Sequence, residues 1–265
     1  MSRRRGAAGR GRPLRLATLL LVGLLAGCSA RPERVADSAE GEIVQPRRPA
    51  SAVAGAQGKY GIDAVYDPWE ALNRRVYKFN AQFDRHLLLP LVDGYRAVTP
   101  DYVEDRVSDF LANLGDLRTL INAALQLKVG LTARTLSRLM FNTTFGVFGL
   151  WDVASGMELP RQREDFGQTL GHYGVGPGPY LVLPVYGPAN LRDGAGLAFD
   201  LAAYSVIDPL NYEHNGDDWA AGYATLSAID TRMKIGFRYY ASGSPFEYEL
   251  VRNLTTWARE LEIGK

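Results

Sequence analysis

The sequence predicts an all-α domain, and three observations support this fold class. Apolar residues recur every three or four positions along most of the chain, which is the spacing of one face of an α-helix. Proline follows a capping residue at Asp67-Pro68, Thr99-Pro100 and Ser244-Pro245, as it does at helix starts. Strand-like alternation of polar and apolar residues is rare. We therefore expect a mostly helical domain over residues 63–265, interrupted by one long non-helical segment.

The first predicted helix begins at Asp67-Pro68-Trp69-Glu70 and extends to Pro90. Asp67 is a good N-cap, Pro68 suits the first helical position, and Glu70 supplies the acid of a capping box. An apolar stripe follows at helical spacing, formed by Trp69, Leu72, Val76, Phe79 and Phe83. A plain helix with this stripe facing the core accounts for the pattern.

Six further helices are predicted from the same period. They start at Thr99-Pro100 and at about Asp116, and continue over Leu131–Phe141 after a break at Gly130, Asn190–Tyr204, Asp217 to about Tyr240, and Pro245–Glu262. Ser244-Pro245-Phe246-Glu247 repeats the cap, proline, aromatic and acid order of the first helix. On the helix from Asn190, Leu191 and Phe199 are in phase with the apolar face.

Two stretches do not fit this helical pattern. The glycine–proline segment, Phe166–Asp193, reads FGQTLGHYGVGPGPYLVLPVYGPANLRD, and we expect it to be non-helical throughout. Such a long irregular segment inside a compact domain is usually functional or signals a wrong element assignment. Phe141–Trp151 is apolar and broken by glycine, and is too short to span a membrane. On pattern alone, each stretch is either membrane-associated or a buried hairpin in an ordinary core.

The N-terminus has the pattern of an export signal. Basic residues over Arg3–Arg15 precede a short apolar run, Leu16–Leu25, far below the roughly 20 residues of a spanning helix. The run ends in Leu25-Ala26-Gly27-Cys28, which resembles the lipobox of bacterial lipoproteins. We therefore predict a signal peptide over residues 1–27 and acylation of Cys28. The alternative is an ordinary secretory signal in which the cysteine is incidental.

The residues after Cys28 indicate the destination of the anchored chain. Ser29, rather than an aspartate, resembles the sorting signal for release to the outer membrane. Residues 28–62 are rich in alanine, proline, glycine and charge and have few large apolar side chains. Because such a composition cannot offset the entropy of ordering, we predict a flexible tether. A docking peptide is the alternative.

Composition gives no support for nucleic-acid binding or for catalysis. The formal charge of the 265-residue chain is +1, but six arginines precede Cys28, so the mature chain is mildly acidic. One cysteine and three histidines, with no H-E-x-x-H or cysteine pair, give no metal site. His172 lies in Leu170-Gly171-His172-Tyr173-Gly174, but the chain has no G-x-S-x-G nucleophile motif. We predict no catalytic residue, and a hydrolase that uses His172 is the weakest alternative.

The glycine–proline segment also differs from a nucleotide-binding loop. Gly174–Pro179 is glycine-rich, but Pro177 and Pro179 remove amide donors that a phosphate cradle needs. No G-x-x-x-x-G-K-[ST] motif is present, so the sequence predicts no nucleotide hydrolysis.

Several ordered motifs resemble the MlaA (VacJ) family of outer-membrane lipoproteins. They are DPWEALNR at Asp67–Arg74, FN at Phe79–Asn80, RLMFNTTFGVFGLWDVA at Arg138–Ala154, FGQTLGHYGVGPGPYLVLPVYGP at Phe166–Pro188, and LRDGAG at Leu191–Gly196. The helix start at Pro245–Glu247 also looks like the family's closing helix. Ala189 stands where the family usually has serine, which is expected to affect one helix cap.

This resemblance implies a function in lipid transport. It implies a ring-like assembly of amphipathic helices, seated in the outer membrane and facing the periplasm, with a passive channel that removes mislocalised phospholipids from the outer leaflet. Partners would be phospholipids, a trimeric outer-membrane porin and a periplasmic lipid carrier (MlaC-like), with no nucleic acid. It implies no cofactor apart from the lipid on Cys28. The alternative is a structural adaptor lipoprotein that tethers a porin or envelope complex without passing lipid.

The resemblance also implies where the channel and the membrane contact lie. Candidate channel and gate residues are Phe79, Asn80, Phe166, Gly167, Gly171, His172, Tyr173, Gly174, Gly176, Gly178, Tyr180, Arg192 and Asp193. Candidates for a membrane-seated hairpin are Phe145, Val147, Phe148, Leu150 and Trp151.

Overall fold

The computed structural model describes residues 65–210 and 217–264. Its helices are α1 (Glu70–Phe83), α2 (Leu89–Val98), α3 (Asp101–Leu125), α4 (Val129–Thr144), α5 (Val153–Gly156), α6 (Phe166–His172), α7 (Leu191–Ile207), α8 (Asp217–Lys234) and α9 (Glu247–Ile263). A π-helical segment, Asp84–Leu88, joins α1 to α2, and strands β1 (Tyr180–Leu183) and β2 (Gly187–Asn190) form an antiparallel pair. The prediction of a mostly helical domain is confirmed. The predicted signal peptide, Cys28 anchor and tether lie outside the described residues.

Helix α1 begins two residues later than its capping signal suggests. Trp69 occupies the N-cap position and makes no side-chain cap, so the prediction of an Asp67 cap was wrong. Asp67 instead accepts hydrogen bonds from Asn73 (2.8 Å) and from the Tyr248 hydroxyl (2.6 Å), and pairs with Arg252. These bonds join the start of the domain to α9.

The helical path does not end at Pro90. Pro90 lies in the first turn of α2, where its missing N–H is not needed. The π-helical segment before it carries Asp84, which is buried and forms a bidentate ion pair with Arg232 of α8. A π-helical turn contains one more residue than an α-helical turn. This wider turn begins at Asp84, the residue that forms the ion pair with α8.

The predicted second and third helices are one helix, α3. Gly115 lies within it, and a Cβ added there would have no neighbour within 4 Å. Helix α4 starts at Val129, so Gly130 lies inside a helix rather than breaking one. Helix α8 ends at Lys234, earlier than predicted, and α9 starts at Glu247.

The distribution of polarity is inverted relative to an ordinary globular core. Among the described residues, buried polar and charged residues outnumber buried apolar ones by about two to one. The apolar stripe of α1 was predicted to face the core, but Leu72 is 54% and Phe79 51% exposed, while Asn73 and Asn80 are buried. The prediction was wrong because the polar face of the helix, and not its apolar face, makes the tertiary contacts.

The same inversion occurs on three other helices. The buried positions are Asn113, Asp116, Thr119 and Asn122 on α3, Thr135, Arg138 and Asn142 on α4, and Arg192 and Asp200 on α7. Leu191 and Phe199, predicted to be in phase on the apolar face of α7, are 49% and 42% exposed. Polar side chains at this depth need partners, because an unpaired buried polar group is costly.

Arg138 is the centre of one buried polar cluster. Its side chain is 1% exposed and donates to Asp116 (3.3 Å), to both oxygens of Asp152 (2.9 Å each), to Ser155 (3.2 Å) and to the Leu159 carbonyl. The cluster holds α3, α4 and α5 together through charge and hydrogen bonds.

The apolar core is small and aromatic. Tyr77, Tyr180, Val182 and Tyr248 form one buried cluster between α1, β1 and α9. The Tyr77 ring meets the Tyr248 ring edge-on, with centroids 5.7 Å apart, and the Tyr77 hydroxyl donates to Glu247 at 2.7 Å. Glu247 also accepts hydrogen bonds from the backbone N–H and the hydroxyl of Ser242. This carboxylate, in the first turn of α9, therefore also binds the segment that precedes the helix.

Candidate functional site

The glycine–proline segment contains regular structure at both ends. Phe166–His172 is helix α6, so the prediction that the whole segment is non-helical was wrong. Asp165 and Gln168 form a reciprocal capping box, with Gln168 N donating to Asp165 (3.0 Å) and Asp165 N to Gln168 (3.1 Å). This capping box can be recognised in the sequence. However, Gly167 and Gly171 lie within the helix that it begins, and glycine is a poor helix former.

Gly167 of α6 and Gly196 of α7 are needed because these two helices approach very closely. A Cβ added at Gly196 of α7 would lie 2.7 Å from the Gly167 Cα, and one added at Gly167 would lie 2.6 Å from Asp193 Oδ1. The Phe166 and Phe199 rings stack beside this contact with centroids 3.7 Å apart. The backbones themselves are therefore in contact, which fixes α6 against α7.

A charge network holds the other side of this helix pair. Arg259 of α9 bonds to Asp193 (3.0 Å), to Glu262 (3.1 Å) and to Asp165. Burial opposes ionisation of Asp165, but the hydrogen bond and charge of Arg259 outweigh it and lower the pKa of Asp165. Arg192 is buried and bridges Asp193 (3.0 Å), Glu260 (3.1 Å) and the Val175 carbonyl (3.3 Å).

The remainder of the segment is a short hairpin. Tyr180 pairs with Asn190 and Leu183 with Gly187, and Val185 in the connection has a positive φ of 67°. Ala189 lies on β2 opposite Leu181 rather than at a cap, and the cap of α7 is Asn190, whose side chain accepts from Asp193 N at 2.8 Å. The expected effect of Ala189 on a cap is therefore wrong.

Two asparagines of α1 attach the hairpin to that helix. Asn73 donates to the Tyr180 carbonyl (3.1 Å) and accepts from Val182 N (2.9 Å). Asn80 donates to the Leu183 carbonyl (2.9 Å) and accepts from Val185 N (2.8 Å). Each asparagine side chain thus forms two hydrogen bonds with the hairpin backbone, as a neighbouring strand would. We call Asn73 and Asn80 the asparagine clamp.

The asparagine clamp predicts a specific loss of stability. Asn73→Ala leaves the Tyr180 carbonyl and the Val182 N–H buried without their partner, so we expect the free energy of unfolding to fall by about 2–4 kcal/mol. Urea unfolding of the mature chain in detergent, followed by tryptophan fluorescence, measures this loss. Lys78→Ala, at an exposed position of the same helix, is the control and should change stability by less than about 0.5 kcal/mol. If both variants changed the free energy of unfolding by the same amount, the asparagine clamp would not contribute to stability.

The turn between α6 and β1 is the exposed part of the segment. Gly174 and Gly178 have positive φ values of 86° and 68°, which favour glycine, whereas Gly176 has no such requirement. The Tyr173 hydroxyl donates to the Leu125 carbonyl at 2.6 Å, which ties one end of the turn to α3. His172 is exposed, with its ring edge-on to Tyr173 at 5.2 Å between centroids.

The apolar turn, Phe145–Trp151, lies after α4 and is also exposed. The exposed fractions are 68% for Phe145, 50% for Val147, 74% for Phe148 and 39% for Trp151, while Leu150 is half-buried. Val147 and Phe148 both have positive φ, an unfavourable conformation for such side chains. The alternative of a hairpin buried in an ordinary core is therefore wrong for this turn.

A cavity of about 130 Å³ lies where α3, α7, α9 and the hairpin meet. We call it the junction pocket; its lining is Arg118, Asp165, Tyr186, Pro188, Ala189, Asn190, Asp193, Leu197, Asp200, Thr255, Thr256 and Arg259. The lining is mixed, with carboxylates, guanidinium groups and hydroxyls beside a few apolar atoms.

The structure brings together only part of the predicted site. Phe166, Gly167, Arg192 and Asp193 meet at the contact of α6 with α7, and Asn80 and Tyr180 meet at the asparagine clamp. Phe79 is exposed and stacks on Phe83. Sequence reasoning missed Asn73, Arg118, Asp200 and Arg259. The available signal was a polar stripe at helical spacing, as in Asn113, Asp116, Thr119 and Asn122.

Two classes of feature are absent from residues 65–210 and 217–264. No helix in these ranges is both long and apolar enough to cross a membrane. Within the same ranges, no three histidine, cysteine or acidic side chains are grouped so as to hold a metal ion.

Together these features define a helical domain with many buried polar residues, many exposed apolar side chains and a short hairpin clamped to its first helix. The sequence pattern described as MlaA lipoprotein matches residues 65–262. The chain therefore belongs to the MlaA lipoprotein family.

The chain is also similar to individual proteins and to a solved structure. A protein of Rickettsia felis is 39% identical over 211 residues, covering 79% of this chain and 82% of the relative. The intermembrane phospholipid transport system lipoprotein MlaA of Escherichia coli K12 is 36% identical over 174 residues, covering 64% and 66%. A solved structure described as the structural basis for maintenance of bacterial outer membrane lipid asymmetry matches with a TM-score of 0.61 and 31% identity. That match covers 74% of this chain and 98% of the other.

Proposed function

We propose that this protein is an outer-membrane lipoprotein that removes mislocalised phospholipids from the outer leaflet through a passive channel and passes them to a periplasmic lipid carrier. The observation that carries the proposal is the inverted polarity of the domain. Apolar side chains lie on the exposed faces of α1, α4 and α7, and polar side chains lie between the helices. An exterior of this kind suits contact with acyl chains, and a polar interior suits phospholipid headgroups.

The apolar turn is the membrane contact in this proposal. Phe148 and Phe145 project from the end of α4 with most of their surface exposed, although large exposed apolar patches are uncommon on soluble monomers. Insertion of this turn among acyl chains would remove that surface from water. The strained backbone at Val147 and Phe148 fits a turn whose shape serves contact rather than local stability.

The exposed glycine turn at Gly174–Gly178 is the gate in this proposal. It is tied to α3 at Tyr173 and to the hairpin at Tyr180, and between these points its glycines permit backbone conformations that other residues resist. The lipid on Cys28 would anchor the chain, and a trimeric porin would hold the domain at its depth. The relatives named for phospholipid transport support the transport role that these parts would serve.

The test combines gene deletion with two matched glycine variants. We expect deletion to raise outer-leaflet phospholipid and sensitivity to SDS with EDTA, and the wild-type gene to reverse both. Gly174→Leu should fold but fail to restore lipid asymmetry, because its side chain stiffens the gate. Gly243→Leu is the control: Gly243 also has a positive φ, 67°, and no neighbour within 4 Å, so the backbone strain of about 1–2 kcal/mol is the same.

Other outcomes contradict the proposal. Unchanged surface phospholipid after deletion would exclude a role in lipid removal. Full complementation by Gly174→Leu would exclude this turn as the gate. A structural adaptor is indicated if deletion disturbs porin association while surface phospholipid stays normal.

A further inference from the structure

The junction pocket contains a guanidinium group that forms no ion pair and has a buried N–H without a hydrogen-bond partner among the described residues. Arg118 of α3 lines the pocket, and its Nε is buried without a hydrogen-bond partner among the described residues. Its side chain also forms no ion pair in that part of the chain. A guanidinium group offers five donors in a planar fork that suits phosphate oxygens. Arg118 is therefore an anion-binding group that the fold itself does not use.

The same pocket contains a carboxylate without a cationic contact. Asp200 of α7 is 7% exposed and accepts from Asn122 Nδ2 (3.0 Å) and from Phe166 N (3.1 Å). Both donors are neutral, and within the described ranges no lysine or arginine forms an ion pair with Asp200. Burial raises the pKa of Asp200, which the two donors and the nearby Arg118 charge oppose. Each carboxylate oxygen retains a free lone pair for a further donor.

The remaining charges of the pocket are already engaged. Arg259 bonds to Asp165, Asp193 and Glu262, and Asp193 also accepts from Arg192. Arg118 and Asp200 are thus the two charged groups of the lining that lack a direct opposite charge. Arg118 and Asp200 interact electrostatically but do not form an ion pair with each other. The junction pocket therefore has a positive group at Arg118 and a negative group at Asp200.

Two hydroxyl groups add acceptors to the pocket. Thr255 donates its hydroxyl proton to the Val251 carbonyl (2.7 Å), and Thr256 donates to the Arg252 carbonyl (2.8 Å). With their protons committed, these oxygens can only accept from a bound group. An ammonium group, which has donors and no acceptor, matches such oxygens and Asp200.

We propose that the junction pocket binds a zwitterionic phosphoethanolamine headgroup, with its phosphate at Arg118 and its ammonium at Asp200. The inference rests on the proposed function, because it names the class of phospholipid that the same protein would take. The cavity of about 130 Å³ is well above the roughly 15 Å³ that one water needs, so a group of several heavy atoms fits. The hairpin residues Tyr186 and Pro188 form one wall, which places the pocket directly beside the clamped hairpin.

The test measures binding of short-chain lipids to the purified mature protein in detergent by calorimetry. Wild type should bind dihexanoyl phosphatidylethanolamine about tenfold more tightly than dihexanoyl phosphatidylglycerol, which lacks the ammonium. Arg118→Gln should weaken binding of both lipids by about tenfold, since both carry the phosphate. Asp200→Asn should weaken only the ethanolamine lipid and abolish the preference.

Controls separate recognition from folding. Arg75→Gln removes an exposed arginine of α1 outside the pocket and should leave both affinities unchanged. Arg118→Lys keeps the positive charge but loses the planar fork, so it should bind both lipids more weakly than wild type and more tightly than Arg118→Gln does. Arg118→Gln removes no ion pair of the described fold, so it tests the proposal even if Asp200→Asn is unstable.

Competition with soluble compounds distinguishes a headgroup from free phosphate. Phosphoethanolamine should displace the lipid, whereas inorganic phosphate at the same concentration should not. Displacement by inorganic phosphate alone, a preference that survives Asp200→Asn, or wild-type affinity in Arg118→Gln would each overturn the proposal.

These results are separable from failure of the proposed function. If deletion of the gene leaves surface phospholipid unchanged, the transport role itself is wrong. If deletion raises surface phospholipid but Arg118→Gln complements fully and binds both lipids normally, only the headgroup site is wrong.

Discussion

Arg138→Met is expected to lower the free energy of unfolding by about 3–5 kcal/mol. The guanidinium of Arg138 is 1% exposed and supplies donors to Asp116 and Asp152, and Asp116 is itself 2% exposed. Removal of the arginine leaves a buried carboxylate with only part of its compensation, from Arg161 at 3.1 Å. A methionine of similar length fills the space, so the loss reports charge and hydrogen bonding rather than a cavity.

Urea unfolding of the mature protein in detergent measures this effect. The matched control is Lys234→Met, which removes an ion pair between the exposed Lys234 and the half-buried Asp230, one helical turn apart. Such pairs contribute about 0.3–0.5 kcal/mol, so the control should remain close to wild type. If both variants lose the same stability, the cluster around Arg138 contributes no more than a surface pair.

Gly196→Ala is expected to cost about 3 kcal/mol or more, because the new methyl group would overlap the backbone of α6. Its Cβ would lie 2.7 Å from the Gly167 Cα and 3.0 Å from the Phe166 carbonyl carbon. Backbone atoms cannot rotate away as a flexible side chain can, so the two helices must separate. The Phe166–Phe199 stack and the hydrogen bond from Phe166 N to Asp200 should be disturbed with them.

The same exchange at Gly115 of α3 is the control, and its sign should be opposite. A Cβ there meets nothing within 4 Å, and alanine is the better helix former by about 1 kcal/mol. Thermal unfolding of the two variants, followed by circular dichroism, gives both values. A stable Gly196→Ala protein with wild-type near-UV dichroism would contradict the close approach of α6 and α7.

Much of the helical architecture could be predicted from the sequence because helix period and caps are local signals. The start of α7 at Asn190 and its N-cap were predictable, since asparagine followed by a periodic run is typical of a helix start. The single helix α3 was not, because Gly115 and the acid after it look like a boundary. Tertiary contacts made by Asp116 hold this region helical against its local preference.

The orientation of the helices could not be predicted from amphipathicity alone. The rule that the apolar face meets the core assumes that water surrounds the protein. On α1 the buried face carries Asn73 and Asn80, and the apolar face is exposed. The pattern predicts that the helix has an apolar face and a polar face, but it does not predict which of them is buried. The exposure of Phe79 could therefore not be predicted from the sequence of α1.

The glycine–proline segment shows the same limit for the site. Its odd composition was visible, and the capping box at Asp165 and Gln168 was available as a signal for α6. The contacts that give the segment its shape come from distant positions. Asn73 and Asn80 lie more than 100 positions before the hairpin that they bind, and Arg259 lies 94 positions after Asp165. No local pattern specifies such pairs.

The bonds between the first and last helices have a consequence for the order of folding. Asp67 and the Tyr248 hydroxyl are 181 positions apart, and Arg74 and Glu249 are 175 positions apart. Closure of such long loops is slow, and it requires nearly the whole domain to have been synthesised. Until α9 arrives, Asp67 lacks its hydrogen bond from the Tyr248 hydroxyl, and Tyr77 lacks the Tyr248 ring, which is one of its aromatic neighbours. We therefore expect the chain to acquire its native structure late and in one cooperative step, which leaves a period in which its apolar faces need protection from aggregation.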